Sequence, residues 1–543
     1  MTETTSLLLT CEQTGAAPPY NEVFNSIVDL PTEAHEIYII SDLHIGAGLG
    51  PNATYSGTEN FYADAAFHRF LHYAMNSDRS KKNLLIINGD FIDFLRITTI
   101  PTTSNEFQEW HTALEQIGIA PAGGISTLRN SISDEVKKGF GLKTNDYKSV
   151  WKLLVCAYGH AGIFDALAQW LADGNELVIT KGNHDLEWYW HAMRNYFRLI
   201  IAEHIARSSN KPTLVILKEI LPNIRFIENA LVVDGELYIE HGQRYDNFTK
   251  VVPEDKQTFN NGQELNIPFG SFFNRYLLNK VELRYPYFEN VRPRVSILPL
   301  LIKEDFPLAM RVFLRYIPAL LRSFLKKRYW PMIFQTFYVF FSIGVPVIAV
   351  LVFCLVKFQI LDSSFIFNLV SSPPPIHGIV EFLKHTVLTL ASGFAMLVIS
   401  YFLTRLLSFF QLVEPSSLAA DAKQIAADKM QAYPNLKIIT MGHTHDPEQN
   451  LLADHIWYYN TGTWIPVIES SSASVREDKT YTFLKARRES GHITTEPLMR
   501  WNDEASRADE LVLVVGSDEV APSNVPSRIQ QFKERARWFF AKK

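Results

Sequence analysis

Five short blocks of the chain are rich in aspartate, asparagine and histidine, which bind metal ions through oxygen and nitrogen. They lie at residues 41–44, 88–93, 182–185, 240–242 and 442–445. Mixed oxygen and imidazole ligands suit Mn, Fe or Zn, and none of the blocks contains a cysteine. Two such ions about 3.5–4 Å apart can neutralise phosphate oxygens and lower the pKa of a bound water. The blocks therefore predict a two-metal centre that would suit hydrolysis of a phosphoester.

Each block directly follows a short apolar run that we predict to be a buried strand. The runs lie at residues 36–40, 83–87, 176–180, 236–239 and 436–440. Short β-rich runs closed by glycine and polar residues are typical of buried strands. In layered α/β folds, functional sites gather at the carboxyl ends of the strands. We therefore expect the five blocks to meet at one end of a sheet structure.

The blocks and their order resemble the calcineurin-like metallophosphoesterase superfamily, roughly over residues 35–250 and 435–500. This resemblance implies an α/β fold, a four-layer β-sandwich flanked by helices. Within the superfamily, residues 42–48, 89–93 and 442–447 are similar to the UDP-2,3-diacylglucosamine hydrolase branch. Those enzymes cleave a pyrophosphate on a lipid A precursor at the cytoplasmic face of the membrane. Their best-known members carry Arg where this chain has His184, and this departure leaves the substrate open.

The resemblance also implies a set of metal ligands. The first ion would be held by Asp42, His44, Asp90 and His445. The second ion would share Asp90 as a bridging ligand and would add Asn183, His241 and His443. The expected cofactors are thus two divalent ions, with Mn favoured and Fe or Zn also compatible.

Three further residues of the blocks are candidates for roles beside the metals. The resemblance implies that His184 would face the phosphate, where it would stabilise the transition state or act as a general acid toward the leaving oxygen. Asp185 would orient His184 through a hydrogen bond. Asp93 would be either a hydrogen-bond partner of a metal ligand or a plain helix-start residue, a position that aspartate favours.

Two stretches between the fourth and fifth blocks lack charged residues, 329–356 and 385–404. A membrane span needs about 20 mostly apolar residues, so we predict a two-helix transmembrane hairpin, with a buried helical hairpin as the alternative. Blocks on both sides of the pair must meet at one site, which requires an even number of spans. The basic flanks, residues 326–328 and Arg405, predict an integral two-pass membrane protein with the site on the cytoplasmic side.

The remaining boundaries follow from composition. Residues 266–328 mix aromatic, leucine and basic residues and are either a cap domain or basic amphipathic helices at the membrane interface. The expected segments are 1–34, a flexible tail; 35–265, the first part of the domain with an insertion at 96–150; 266–328; 329–410, the hairpin; 411–500, the second part; and 501–543, a linker with a basic C-terminal helix. That last helix would either dock on the membrane or be solvated.

Composition restricts the function classes further. The formal net charge of −5 over 543 residues gives no reason to expect nucleic acid as a partner. The three cysteines show no paired spacing, so a disulfide framework is not expected. The expected partners are a phosphoester substrate, with an amphipathic or lipid-linked one favoured, and the membrane, while the oligomeric state stays open. Two other readings remain: a tethered phosphodiesterase or phosphatase for soluble nucleotides, and a non-catalytic membrane scaffold or sensor.

Overall fold

The computed structural model describes most of the first 292 residues and the region from 417 to 511. The described ranges are residues 3–14, 27–76, 81–246, 248–254, 256–292, 297–312, 314, 417–453, 455–469, 474–475 and 477–511. The chain divides into two compact units, Met1–Arg292 with Ser416–Lys543, and Pro293–Pro415. The candidate site blocks all lie in the first unit.

Nineteen strands occur among the described residues. They are β1 (Ile27–Leu30), β2 (Glu36–Ile40), β3 (Asn83–Asn88), β4 (Glu176–Thr180), β5 (Ile224–Ile227), β6 (Ala230–Val233), β7 (Leu237–Glu240), β8 (Thr258–Phe259), β9 (Glu264–Leu265), β10 (Val291–Arg292), β11 (Ile438–Met441), β12 (Glu448–Ala453), β13 (Ile456–Asn460), β14 (Ile468–Glu469), β15 (Ser474–Val475), β16 (Thr482–Glu489), β17 (His492–Thr495), β18 (Met499–Asn502) and β19 (Arg507–Glu510). The five predicted strands are confirmed as β2, β3, β4, β7 and β11, with ends shifted by at most two residues.

The α-helices of the described residues surround these strands. They are α1 (Glu3–Thr14), α2 (Asp64–Asn76), α3 (Ser104–Gln116), α4 (Gly124–Ser131), α5 (Ser133–Lys138), α6 (Asp146–Gly159), α7 (Ala161–Ala172), α8 (His191–Ser209), α9 (Thr213–Ile220), α10 (Phe269–Phe273), α11 (Asn279–Glu282), α12 (Ile297–Glu304), α13 (Phe306–Arg311) and α14 (Ala419–Lys429). The insertion at 96–150 contains α3, α4, α5 and the start of α6.

Two large sheets form the centre of the first unit. The eight-stranded sheet runs β19-β18-β16-β2-β3-β4-β5, with β17 paired to β16, and its strands β2 to β5 are parallel. The six-stranded sheet runs β1-β6-β7-β11-β13-β12, and here β7, β11 and β13 are parallel neighbours. Because parallel neighbours end on the same side, each sheet brings the loops after its parallel strands together.

The two sheets pack face to face through a shared apolar core. On β2, Ile37 and Ile39 join residues of the six-stranded sheet such as Leu231 and Ile239 in this core. The alternate residues of β2, Tyr38 and Ile40, point to the opposite face, where they pack with the helices of the eight-stranded side. The outer face of the six-stranded sheet packs against α14. The unit is therefore an α/β structure with four layers.

Two predicted boundaries are wrong where the structure describes them. The segment 1–34 is not simply a flexible tail, because it contains α1, whose Leu8 is buried, and β1, which pairs in parallel with β6. The second part of the domain does not end at residue 500, because β18 and β19 pair there as antiparallel neighbours. The composition of these two segments does not show which strands they pair with.

The predicted cap or interface region at 266–328 divides between the two units. Its first part lies in the unit that carries the site: Asn279 Nδ2 donates to the Leu95 carbonyl at 2.7 Å, and Arg275 Nη2 donates to the Leu142 carbonyl at 2.5 Å. In the other unit, α12 and α13 are described, and α13 begins at a cap in which the Asp305 side chain accepts a hydrogen bond from the Leu308 amide. Composition does not reveal this division, since the contacts of the first part are with residues far away in the sequence.

No helix among the described residues is both long enough and apolar enough to cross a membrane. The predicted hairpin at 329–410 lies outside the described residues, as does the predicted basic helix near the C-terminus.

Candidate metal centre

The loops that follow five strands bring the predicted ligands together from both sheets. Asp42 and His44 follow β2, Asp90 follows β3, and Asn183 follows β4, so these come from adjacent parallel strands of the eight-stranded sheet. The six-stranded sheet contributes the rest from the loops after β7 and β11: His241, His443 and His445. The two sets of side chains meet beyond the carboxyl ends of the parallel strands, at one end of the packed sheets.

Three overlapping groups of side chains have ligand atoms close enough to hold metal ions. They are Asp42 with His44 and His445; His44 with Asp90 and His184; and Asp90 with His241 and His443. Within each group the ligand atoms lie within 4.8 Å of one another. Asp90 belongs to two of the three groups, as a carboxylate that bridges two ions would.

Buried polar atoms without a hydrogen-bond partner mark the same place. Asp42 Oδ1, Asn183 Oδ1 and His241 Nε2 are all buried, and none makes a hydrogen bond of good geometry. The first and last have only ion-pair contacts, with His445 Nε2 at 3.2 Å and with Asp90 Oδ2 at 3.3 Å. Leaving such an atom unsatisfied costs about 1–3 kcal/mol, so native structures rarely tolerate several together. Oxygen and imidazole atoms of this kind are the donors that Mn, Fe or Zn accepts. The residues present therefore fit a bound metal.

In His241 and His443, a hydrogen bond to one ring nitrogen leaves the other ring nitrogen available to an ion. His241 Nδ1 lies 2.7 Å from the Asn88 carbonyl and donates to it, which leaves Nε2 facing Asp90 Oδ2 at 3.3 Å. His443 directs Nε2 to the Thr249 hydroxyl at 3.2 Å, leaving Nδ1 for a metal. The Nε2 atoms of His44 and His445 are 3.0 Å apart, so both rings point to one place. Such outer hydrogen bonds orient imidazole ligands.

The electrostatics of the buried carboxylates also favour cations. Burial alone would raise the pKa of Asp42 and Asp90, but nearby imidazoles, His241 foremost, outweigh it and lower both pKa values well below the usual range. Burial opposes protonation of His241, yet Asp90 and Asp42 outweigh it and raise its pKa to about 9. At His445, burial prevails over Asp42 and lowers the pKa to about 4. The carboxylates thus attract positive charge, which divalent ions would supply.

The ligand loops have an unusual backbone conformation. Five of the predicted ligands have positive φ angles: Asp42 (54°), His44 (50°), Asp90 (50°), His443 (72°) and His445 (61°). Residues other than glycine rarely adopt this conformation, and each instance costs of order 1–3 kcal/mol. Such strain persists where the surrounding structure enforces it, and it is concentrated at functional sites.

The predicted partner of His184 is wrong. His184 Nδ1 donates to Asp93 Oδ2 at 2.8 Å, and the same oxygen lies 3.3 Å from His44 Nδ1. Asp93 is therefore not merely a helix-start residue, because it accepts hydrogen bonds from two imidazoles. Asp185 has a different role: it accepts from the backbone amides of Gly182 at 2.6 Å and Phe91 at 2.9 Å. It thus joins the loops after β3 and β4, and burial together with Asp90 raises its pKa to about 7.

Other residues of the site carry no motif in the sequence. Thr249 contacts His443, and the Ser271 hydroxyl donates to the Asn183 carbonyl at 3.1 Å. Arg96, fully buried, lies 3.3 Å from Asp93 Oδ2 through Nε. A buried arginine near a motif aspartate has no distinguishing spacing, so sequence reasoning had no signal with which to find it.

Comparisons of this chain with family models and with curated proteins find no match.

Proposed function

We propose that the chain is a dinuclear metal-dependent phosphoesterase with the metallophosphoesterase fold, and that it hydrolyses a phosphodiester or pyrophosphate bond. The observation that carries the proposal is the position of Asp90 in two ligand groups, with His44 in one and His241 and His443 in the other. Four layers around two packed sheets, with the ligands at parallel strand ends, support the same fold.

In this proposal the chain holds two divalent ions, Mn in preference to Fe or Zn. Asp42, His44, Asp90 and His445 would hold one ion, and Asp90, Asn183, His241 and His443 the other. When bound, such ions supply charge neutralisation and an activated water. His184 has Nδ1 engaged by Asp93, so Nε2 is the atom that would give a proton to the leaving oxygen. The strained loops fix these side chains before substrate arrives, which limits reorganisation during the reaction.

The favoured substrate is amphipathic, either lipid-linked or nucleotide-linked, and the favoured location is the cytoplasmic side of a membrane. The support for both is the pair of uncharged stretches at 329–356 and 385–404 with their basic flanks. A protein tethered in this way would meet its substrate at the bilayer surface.

The experiment that tests the proposal uses detergent-purified full-length protein with Mn²⁺ and UDP-2,3-diacylglucosamine. UMP release is followed for the wild type and for Asp90→Asn, with bis(p-nitrophenyl) phosphate as a second substrate. We expect the wild type to cleave both and Asp90→Asn to cleave neither. Cleavage of the aryl diester alone would retain the metal chemistry and remove the lipid substrate. Equal activity of wild type and variant would remove the proposed function, including its catalytic class.

A further inference from the structure

A buried chain of charged groups extends from the metal centre to the segment that follows β9. Arg96 lies between two carboxylates: its Nε is 3.3 Å from Asp93 Oδ2, and its Nη2 donates to Glu282 Oε1 at 2.9 Å. A third contact runs from Arg96 Nη1 to the Thr58 carbonyl at 2.8 Å. The side chains of Arg96, Asp93 and Glu282 are all at most 1% exposed. Glu282 ends α11, 186 residues from Arg96 along the chain.

Several hydrogen-bond donors and positively charged groups surround the carboxylate of Asp93. Oδ2 accepts from His184 and faces His44 and Arg96, while Oδ1 accepts from the backbone amides of Leu95 and Arg96. A buried arginine with no other counter-ion would draw the negative charge of Asp93 to itself, because attraction between charges is strong in a buried site. Glu282 balances Arg96 from the other side. Asp93 can then serve the two imidazoles as an acceptor.

We propose that Arg96 and Glu282 are positioning residues for the metal centre, and this inference rests on the proposed function. They set the strength with which Asp93 holds His44 for the metal and His184 for the leaving oxygen. Outer hydrogen-bond partners of this kind orient imidazole ligands and raise their basicity, and their loss typically costs about 10–100-fold in metal affinity or activity. The segment at 269–282 thereby acts on the site without touching an ion.

The test compares three full-length variants with the wild type. Glu282→Gln removes one charge while keeping the shape of the side chain. The double variant Arg96→Met with Glu282→Met removes both charges, so no buried charge is left unpaired if the single variant fails to fold. Glu135→Gln is the matched control, since Glu135 also forms a buried ion pair, with Lys148 in the inserted helices, and its side chain is 8% exposed.

Two readouts separate positioning from stability. Titration with Co²⁺ gives the affinity for the metal and a visible spectrum that reports the ligand geometry, and it does not depend on activity. Hydrolysis of bis(p-nitrophenyl) phosphate gives kcat and KM separately. For Glu282→Gln and the double variant we expect about tenfold weaker Co²⁺ binding, an altered spectrum, and kcat lowered about tenfold with KM nearly unchanged. Glu135→Gln should match the wild type in each of these measurements.

Co²⁺ affinity, spectrum and kcat that stay at wild-type values in folded Glu282→Gln and in the double variant would overturn the inference. An equal loss in Glu135→Gln would also overturn it, because the effect would then be general destabilisation. Failure of the proposed function looks different: the wild type itself would hydrolyse neither substrate. The Co²⁺ measurements would still decide whether Arg96 and Glu282 control the ligand geometry.

Discussion

At the scale of single residues, the site combines strained backbone with imidazoles held by defined acceptors. Asp42, His44 and Asp90 adopt positive φ angles, and His184 donates a hydrogen bond to Asp93. These features separate the roles of the side chains. The proposed ligands have strained backbone conformations, and the proposed acid is positioned by one side-chain hydrogen bond. Substitution of the acid should therefore affect proton transfer while leaving the ligand positions in place.

His184→Ala should lower kcat about 10²–10⁴-fold for substrates whose leaving oxygen needs a proton, because general acid catalysis contributes about this factor. The loss should be much smaller for bis(p-nitrophenyl) phosphate, since p-nitrophenolate leaves without protonation. The measurement is kcat for an alkyl and an aryl diester side by side. His191→Ala is the control, because His191 begins α8 and is not in the ligand groups. An equal loss on both substrates would show that His184 is not the acid.

At the scale of elements, the site depends on strand ends that approach one another closely. Gly89 directly follows β3 and has a φ of 78°, and a Cβ placed there would lie 2.4 Å from His241 Nδ1. The loop that follows β3 of the eight-stranded sheet thus lies against His241, a proposed ligand contributed by the six-stranded sheet. Glycine meets both requirements, the backbone conformation and the close approach.

Gly89→Ala should lower the free energy of unfolding by about 1–3 kcal/mol and weaken metal binding, because His241 must shift. Thermal unfolding with and without Mn²⁺ measures both effects. Gly235→Ala is the matched control: Gly235 has a similar φ of 72°, but a Cβ there meets nothing within 4 Å. If both variants lose the same stability and keep wild-type metal binding, the contact with His241 is unimportant.

A second element-scale feature joins α6 and α7 to the loop after His44. His160 lies between these helices, with Nε2 3.2 Å from Glu59 and Nδ1 3.0 Å from Asp64. Glu59 in turn accepts from the backbone amides of Gly46 at 3.3 Å and Gly48 at 2.7 Å. Burial opposes protonation of His160, but the two carboxylates outweigh it and raise its pKa to about 9.

The stability contributed by protonated His160 should therefore depend on pH. Its pKa in the folded state is above the unfolded value of about 6.5, so the contribution is complete below pH 6.5 and is lost as the pH rises through about 9. The free energy of unfolding of the wild type relative to His160→Gln should fall by up to about 3 kcal/mol across this window. Denaturant unfolding at a series of pH values measures this difference. A constant difference from pH 6 to pH 10 would contradict the assignment.

At the scale of the whole molecule, the candidate metal centre forms only when residues far apart in the sequence come together. His241 and His443 follow the neighbouring strands β7 and β11, although 201 residues separate these two proposed ligands in the chain. Predicted spans occupy part of that interval. Ions bound between the two sheets would connect both parts of the first unit. Metal binding should then be coupled to global stability.

Removal of divalent metal with EDTA should lower the melting temperature of the wild type, because an ion that binds only the folded state stabilises it by about 2.7 kcal/mol at 100 times its Kd. Asp90→Asn, which lacks the shared ligand, should show little response to Mn²⁺ or EDTA. Differential scanning calorimetry of both proteins in detergent measures the shift. A wild type whose melting temperature ignores EDTA after complete metal removal would argue against a structural link between the sheets.

The sequence by itself determined the elements that carry chemistry. Aliphatic runs such as 36–40 and 176–180 match β2 and β4, because burial on both faces of a parallel strand demands such runs. The polar blocks at their ends identified side chains that the structure places together in three ligand groups. Local pattern was sufficient here, since each block is contiguous with the strand that positions it.

Only the tertiary structure decided which groups act on one another across the chain. Asp93, rather than Asp185, accepts from His184, and Glu282 reaches Arg96 from a segment that composition assigned to a cap or the membrane interface. The segment 27–30, expected to be part of a flexible tail, pairs with β6. Hydrogen bonds and ion pairs depend on distances of a few ångströms between atoms. Sequence spacing determines such distances within a turn or a strand, but packing of the sheets and helices determines them between distant segments.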